Sequence, residues 1–164
     1  MENGVLIEKK KKQPDPLKKI LYSYRATLAM RDECEAEIAD SFERATSCTV
    51  RMKPYKASGG KASYDRMADD VLESVDGRAR LEREMEKLNQ ELNEILNLIA
   101  MADTRDQRQI LIMRYVRGKP WKEIADWCQR EWGRAEGWAY VQHGLALKTI
   151  REKAGFPPPN ASKS

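Results

Sequence analysis

The chain has 164 residues, of which 41% are hydrophobic and 34% charged, with two Phe in all. Such a composition argues against a thick globular core and fits a helix-rich, strongly solvated protein of one domain or two small ones. No apolar run approaches the roughly 20 residues of a membrane span, and no apolar stretch with a small-residue cleavage site opens the sequence, so neither a membrane segment nor a secretory signal is expected.

Cysteine and charge narrow the class further. Cys34, Cys48 and Cys128 are scattered and form no C-x-x-C, which suits free thiols in a reducing cytosol. With His143 the single histidine, no metal site is expected. The net charge is +4, but it is unevenly spread. Residues 1–64 hold 13 Lys/Arg against 9 Asp/Glu, residues 65–104 hold 5 against 11, and residues 105–164 hold 12 against 6. An acidic middle beside a basic end suggests a polyanion-binding module joined to a part that does not bind polyanions. Ordinary surface charge is the plain alternative.

The first 14 residues, with the tract Lys9 to Lys12, read as a disordered basic tail. A helix opens at Pro16, where Asp15 can cap and proline suits the first turn. Its apolar positions are Leu17, Leu21, Tyr24, Leu28, Ile38, Phe42 and Ala45, a narrow stripe ending near Ala45. Residues 46–64, holding Pro54, Ser58, Gly59, Gly60 and Ser63 with basic residues and no acid, read as a flexible loop.

A second long helix is predicted from Asp65 to Met101. Leu81, Met85, Leu88, Leu92, Ile95, Ile99 and Ala102 follow one another at steps of four and three. Such a stripe needs a partner helix. That partner is either residues 17–45 of the same chain, folded back as a hairpin, or a second copy in a homodimer. Gly77 weakens the early part by roughly 1 kcal/mol relative to Ala. The acidic face between Asp65 and Glu94 is a solvated surface, for it carries no metal-binding or nuclease pattern.

Three shorter helices are predicted between residues 104 and 154. Thr104 and Gln107 form a capping box, and Gly118 closes the helix that carries Ile110, Leu111, Met113, Arg114, Tyr115 and Val116. Pro120 opens a helix through Ile124, Ala125, Trp127 and Cys128, followed by a turn at Trp132-Gly133. The last helix runs from Arg134 or Ala135 to Lys153, with Ala139, Tyr140, Leu145, Leu147 and Ile150 available for a core. Residues 155–164 read as a disordered tail. The fold class is therefore all-α: a long coiled-coil-like helical hairpin followed by a helix-turn-helix.

A helix-turn-helix lays its second helix in the DNA major groove while the first crosses the backbone. The candidate DNA contacts are Lys119, Lys122, Arg130, Arg134, Glu136, Trp138, Gln142, His143, Lys148 and Arg151. Arg and Gln can bond base edges, and Lys can neutralise phosphates. For His143 the plain alternative is helix packing. Trp121, Trp127, Trp132 and Trp138 could stack on bases, but core filling is the simpler role for the first two. No phosphate-binding glycine loop and no nucleophile–base set occurs, so no enzyme activity and no cofactor is expected.

The stretch Ile110-Leu111-Ile112-Met113-Arg114-Tyr115, then Gly118-Lys119-Pro120-Trp121-Lys122-Glu123-Ile124-Ala125, then Tyr140 and His143-Gly144-Leu145-Ala146-Leu147, resembles region 4 of bacterial sigma factors. It is closer to the phage proteins that share that module, the ArpU- and RinA-like late transcriptional regulators. The resemblance covers roughly residues 58–151. It implies promoter DNA as ligand, RNA polymerase as a further partner, and a place on the nucleoid in the cytoplasm of a bacterial host. The sequence departs from that pattern in its longer Asp126–Arg134 segment without Ser or Thr, in Gly137 within the expected recognition helix, and in Gln142 at a usually apolar position. Two other roles fit the same elements: a small-terminase-like DNA-packaging protein, and a factor that binds a host polymerase or defence protein.

Overall fold

The computed structural model describes residues 15–50 and 61–158, with side chains described at 15–44 and 75–158. The described residues are helical, with no strand among them. The elements are α1 (Pro16–Val50), α2 (Lys61–Ala100), α3 (Arg105–Leu111), α4 (Trp121–Trp132) and α5 (Trp138–Ala154), and α3 passes directly into a π turn, Ile112–Val116. The chain divides into two compact units, one of residues 24–97 and one of residues 1–23 with 98–164. No helix of the described residues is long and apolar enough to cross a membrane.

Asp15 caps α1 as expected, its Oδ1 accepting from the Leu17 N–H at 3.2 Å. The long helices are longer than the sequence suggested. Residues 46–50 extend α1 and residues 61–64 begin α2, so only 51–60 of the expected loop is left over, and it lies outside the described residues. The N-terminal tail 1–14 and the tail from 159 also lie outside them.

In the unit of residues 24–97, the buried side chains are Tyr24, Thr27, Leu88, Leu92 and Ile95. Leu81 and Met85 are half-buried, so the heptad stripe closes over progressively toward the end of α2. Leu96, one step out of phase, is exposed. Phe42 does not join the core: it is exposed, and the Arg78 guanidinium lies 5.9 Å from its ring centre. That cation–π contact joins a residue of α1 to one of α2 within this unit.

The other unit is built on α3, α4 and α5, with α5 packed on both of the others. Ile110, Met113, Ile124, Cys128 and Ala139 form one buried cluster, and the four tryptophans lie partly buried against it. Leu17, Leu21, Ile99 and Ala102 supply further buried side chains in the same unit. Thr104 accepts the Gln107 N–H at 3.2 Å, which is half of a capping box. The other half is missing: Gln107 Oε1 accepts no hydrogen bond, while its Nε2 donates to Gln142 Oε1 at 3.3 Å.

The π turn was not foreseen. Arg117 N–H reaches back five residues to the Ile112 carbonyl at 2.9 Å. Ile110 and Leu111 are buried in α3, and Met113 and Tyr115 are buried in the π turn, with Arg114 between them half-buried. Gly118, at φ 67°, then stops the segment, and the Lys119 N–H bonds the Met113 carbonyl at 2.8 Å. This left-handed stop is the role the sequence assigned to Gly118.

These placements set a stability contrast. Ile124 is fully buried, whereas Leu145 is 47% exposed. Ile124→Ala is expected to lower unfolding free energy by about 2–5 kcal/mol, and Leu145→Ala to change it by no more than about 0.5 kcal/mol. Urea unfolding of the two variants measures the difference.

Candidate functional site

The α4–turn–α5 segment carries most of the basic residues singled out above. The turn is held without a serine or threonine cap. Gly133 adopts φ 62°, its N–H bonds Gln129 O at 3.0 Å, and the Arg134 N–H bonds Cys128 O at 3.3 Å. A β-carbon would be disfavoured at that φ, which gives this glycine a conformational role. The Trp138 N–H closes a second turn on Ala135 O at 2.9 Å. Aromatic contacts brace the whole segment: Trp127 on Trp132 at 4.5 Å between ring centres, and Trp132 on Trp138 at 5.5 Å, both edge to face. Arg134 covers the Trp138 ring at 5.2 Å.

Helix α5 therefore begins at Trp138, not at Arg134 or Ala135. Arg134 and Glu136 belong to the turn, and Gly137 is the cap residue, not an interior helical glycine. The recognition-helix positions expected at Arg134 and Glu136 are thus corrected to turn positions, and both residues are exposed.

The expected contact residues fall into two groups. Lys119, Lys122, Arg130, Arg134 and Lys148 are exposed. Lys119 bonds Glu123 at 2.7 Å, and Lys148 lies 3.9 Å from Glu152. Exposed pairs of this kind are weak and leave the ammonium groups available to other anions. Trp138 and Gln142 are half-buried, Trp138 against the core and Gln142 in its bond to Gln107. His143 and Arg151 turn inward, so neither belongs to an exposed contact surface.

Arg151 forms an ion pair with Asp15, and the two side chains are only 15% and 11% exposed. The pair ties the start of α1 to the last turns of α5. A second tether runs from Asp103, which accepts from Thr149 Oγ1 at 2.9 Å and Lys153 Nζ at 2.7 Å. The Lys153 bond, with that from Thr149, holds the Asp103 carboxyl below the usual carboxylate range.

His143 is the hub of an aromatic cluster. Its Nε2 lies 3.0 Å from the Tyr115 hydroxyl. Tyr22 meets Tyr115 edge on at 4.9 Å, and Trp121 meets His143 edge on at 4.9 Å. Tyr140 stacks on Trp121 at 4.4 Å, and Arg114 sits 5.2 Å from the Trp121 ring centre. Burial, followed by the nearby cations Lys18, Arg114 and Arg151, pushes the His143 pKa down to about 4. Burial also raises the Tyr115 pKa, so that hydroxyl keeps its proton and can donate to the neutral imidazole. Burial likewise raises the Cys128 thiol, which disfavours the reactive thiolate.

Sequence reasoning missed two features. Arg117 is exposed and lines an open groove of about 260 Å³ with Lys119, Glu123, Asp126, Trp127 and Arg130. Tyr140 and Leu145, expected in the core, are 49% and 47% exposed, and Val141 is 59% exposed. The buried phase of α5 is Ala139, His143, Ala146, Leu147 and Ile150. Its spacing was legible only if the histidine was counted as a core residue.

The fold thus defines an all-helical protein with a basic three-helix unit. Comparison with family models, curated proteins and solved structures finds no match.

Two outcomes follow from these buried groups. An imidazole in the unfolded chain binds its proton near pH 6.5, but in the folded chain only near pH 4. Between those values the unfolded state holds more protons, so stability is full above pH 6.5 and falls as pH drops toward 4. The loss between pH 7 and pH 5 is about 2 kcal/mol. His143 is the single histidine, so His143→Gln should flatten the urea midpoint over this range. Equal wild-type midpoints at the two pH values would overturn the assignment. Separately, Arg151→Met is expected to cost about 3 kcal/mol because it strands Asp15, whereas Lys148→Met changes stability by no more than about 0.5 kcal/mol. The same urea titration reads both.

Proposed function

We propose that this chain is a duplex-DNA-binding transcriptional regulator of the phage late-gene type, with α4, the turn and α5 acting as a helix-turn-helix. The observation that carries this reading is the set of exposed cations on one small unit: Arg117, Lys119, Lys122, Arg130, Arg134 and Lys148. They border α4, the turn and α5, which are the elements a helix-turn-helix brings to DNA. The basic excess of residues 105–164, 12 Lys/Arg against 6 Asp/Glu, agrees with a polyanionic ligand. The long helices α1 and α2 serve as a helical hairpin for dimerisation or for contact with RNA polymerase. In this reading the protein works without a cofactor or a catalytic step, on the nucleoid of a bacterial cell.

A second reading has one observation in its favour. Met30, Phe42 and Val75 are exposed apolar residues on the long helices. They favour self-association, as in the small-terminase-like packaging role. Light scattering separates the two: a ring of many subunits supports packaging, and a monomer or dimer supports regulation.

Mobility-shift titration at two salt concentrations tests the first reading. Binding should weaken as salt rises, each phosphate contact adding about 0.9 to the magnitude of the slope of log affinity against log salt. Lys122→Ala is expected to weaken binding to all duplexes alike and to reduce the slope by about one contact. Arg134→Ala, which removes a turn cation, is likewise expected to weaken binding to all duplexes alike. Absence of binding at low salt overturns the reading, as does binding insensitive to salt.

A further inference from the structure

The outward face of α5 is apolar at its middle, with Arg134 and Glu136 before the helix and the Lys148–Glu152 pair at its far end. Val141, Leu145 and Lys148 follow one another at helical spacing, and Tyr140 and Gly144 lie beside them on the same side. All five are exposed. Arg134 stands just before the helix and Lys148 ends the stripe. An α-helix with its side chains is about 10–12 Å across, a width that the roughly 12 Å major groove of DNA admits.

Gly144 is unexplained by the fold itself. It lies inside α5, and a β-carbon there would meet nothing within 4 Å. A glycine inside a helix costs roughly 1 kcal/mol relative to Ala, so nothing among the described residues favours it over alanine. A bare backbone at the centre of an exposed stripe suits close approach by an external surface.

We propose that this stripe reads thymine methyl groups in the major groove, with Tyr140, Val141 and Leu145 as the contacting side chains and Gly144 admitting the edge of the base pairs. The inference rests on the reading that the module binds duplex DNA. Thymine is the base that offers an apolar group in the major groove, where apolar side chains can meet it. The cations at the two ends of the stripe suit the phosphate backbones that border the groove. A protein partner fits less well, since a stable protein interface takes roughly 20–30 residues a side, and this stripe is one helix wide. Tyr140 is already held by its stack on Trp121, so its ring loses little freedom on contact.

The test uses the full chain and a random-sequence duplex pool. Sites enriched by binding are remade with uracil in place of thymine, which removes only the methyl group. Wild type is expected to bind the thymine duplex about fivefold more tightly, a modest difference of the size one apolar contact supports. Val141→Ser and Leu145→Ser should erase that preference while leaving salt-dependent binding in place. Gly144→Ala should raise the thermal midpoint by about 4 °C and yet weaken binding to the enriched site. Equal affinity for the thymine and uracil duplexes overturns the inference alone, as do enriched sites without thymine or a pool that binds without enrichment. No binding to any duplex overturns the DNA reading and the inference together.

Discussion

The buried contact between Tyr115 and His143 fixes the rotation of α5, and most of the C-terminal unit depends on it. Tyr115 lies in the π turn Ile112–Val116, four residues after the buried Leu111. Its hydroxyl then sits 3.0 Å from His143 Nε2. A buried polar group left without a partner costs about 1–3 kcal/mol, so each of these side chains needs the other. Tyr22 of α1 and Trp121 of α4 pack edge on against this pair. One polar contact thus joins four segments that are distant in sequence. Its neutrality is maintained by burial and by surrounding cations, which together disfavour an imidazolium.

That rotation decides which residues are offered to solvent. With His143 inward, the buried phase continues through Ala146, Leu147 and Ile150. Val141, Leu145 and Lys148 are then outward by geometry. A shift of one residue toward the C-terminus would turn Tyr140, Gly144 and Lys148 inward, and the opposite shift would bury Gln142 and Leu145. The outward face is therefore a consequence of core chemistry, and any ligand of this face is read through it. Arg151 follows the same logic: its position on α5 points it at Asp15, where it serves the fold.

Much of the architecture was legible in the sequence where a single physical signal dominates. The steps of four and three from Leu88 to Ile99 match buried positions, and Asp15, Thr104, Gly118 and Gly133 mark helix ends as their side chains or backbone freedom require. The all-α class follows from these signals together. The failures cluster where tertiary contacts override type. Tyr140 and Leu145 are apolar yet exposed, while His143 and Arg151 are polar yet turned inward. The π turn left no composition signal. The start of α5 was misjudged because Arg134 and Ala135 are good helix formers, whereas Gly133 and the tryptophan contacts commit that stretch to a turn.

The division between edge and centre on α4 and α5 bears on how such a unit discriminates among ligands. Exposed cations in the turn and at the helix ends supply attraction to any polyanion, and their strength falls with salt. They carry no sequence information, since phosphates are alike at every base pair. In the proposed DNA-binding role, discrimination would come from the central face of α5, where the exposed side chains are mostly apolar. Apolar contacts are insensitive to salt but sensitive to shape. A DNA-binding module so built would gain affinity from its rim and selectivity from its middle, and the two would respond to different solution conditions. The bracing of Tyr140 by Trp121, and of the turn by Trp127, Trp132 and Trp138, keeps the middle rigid enough for shape to matter.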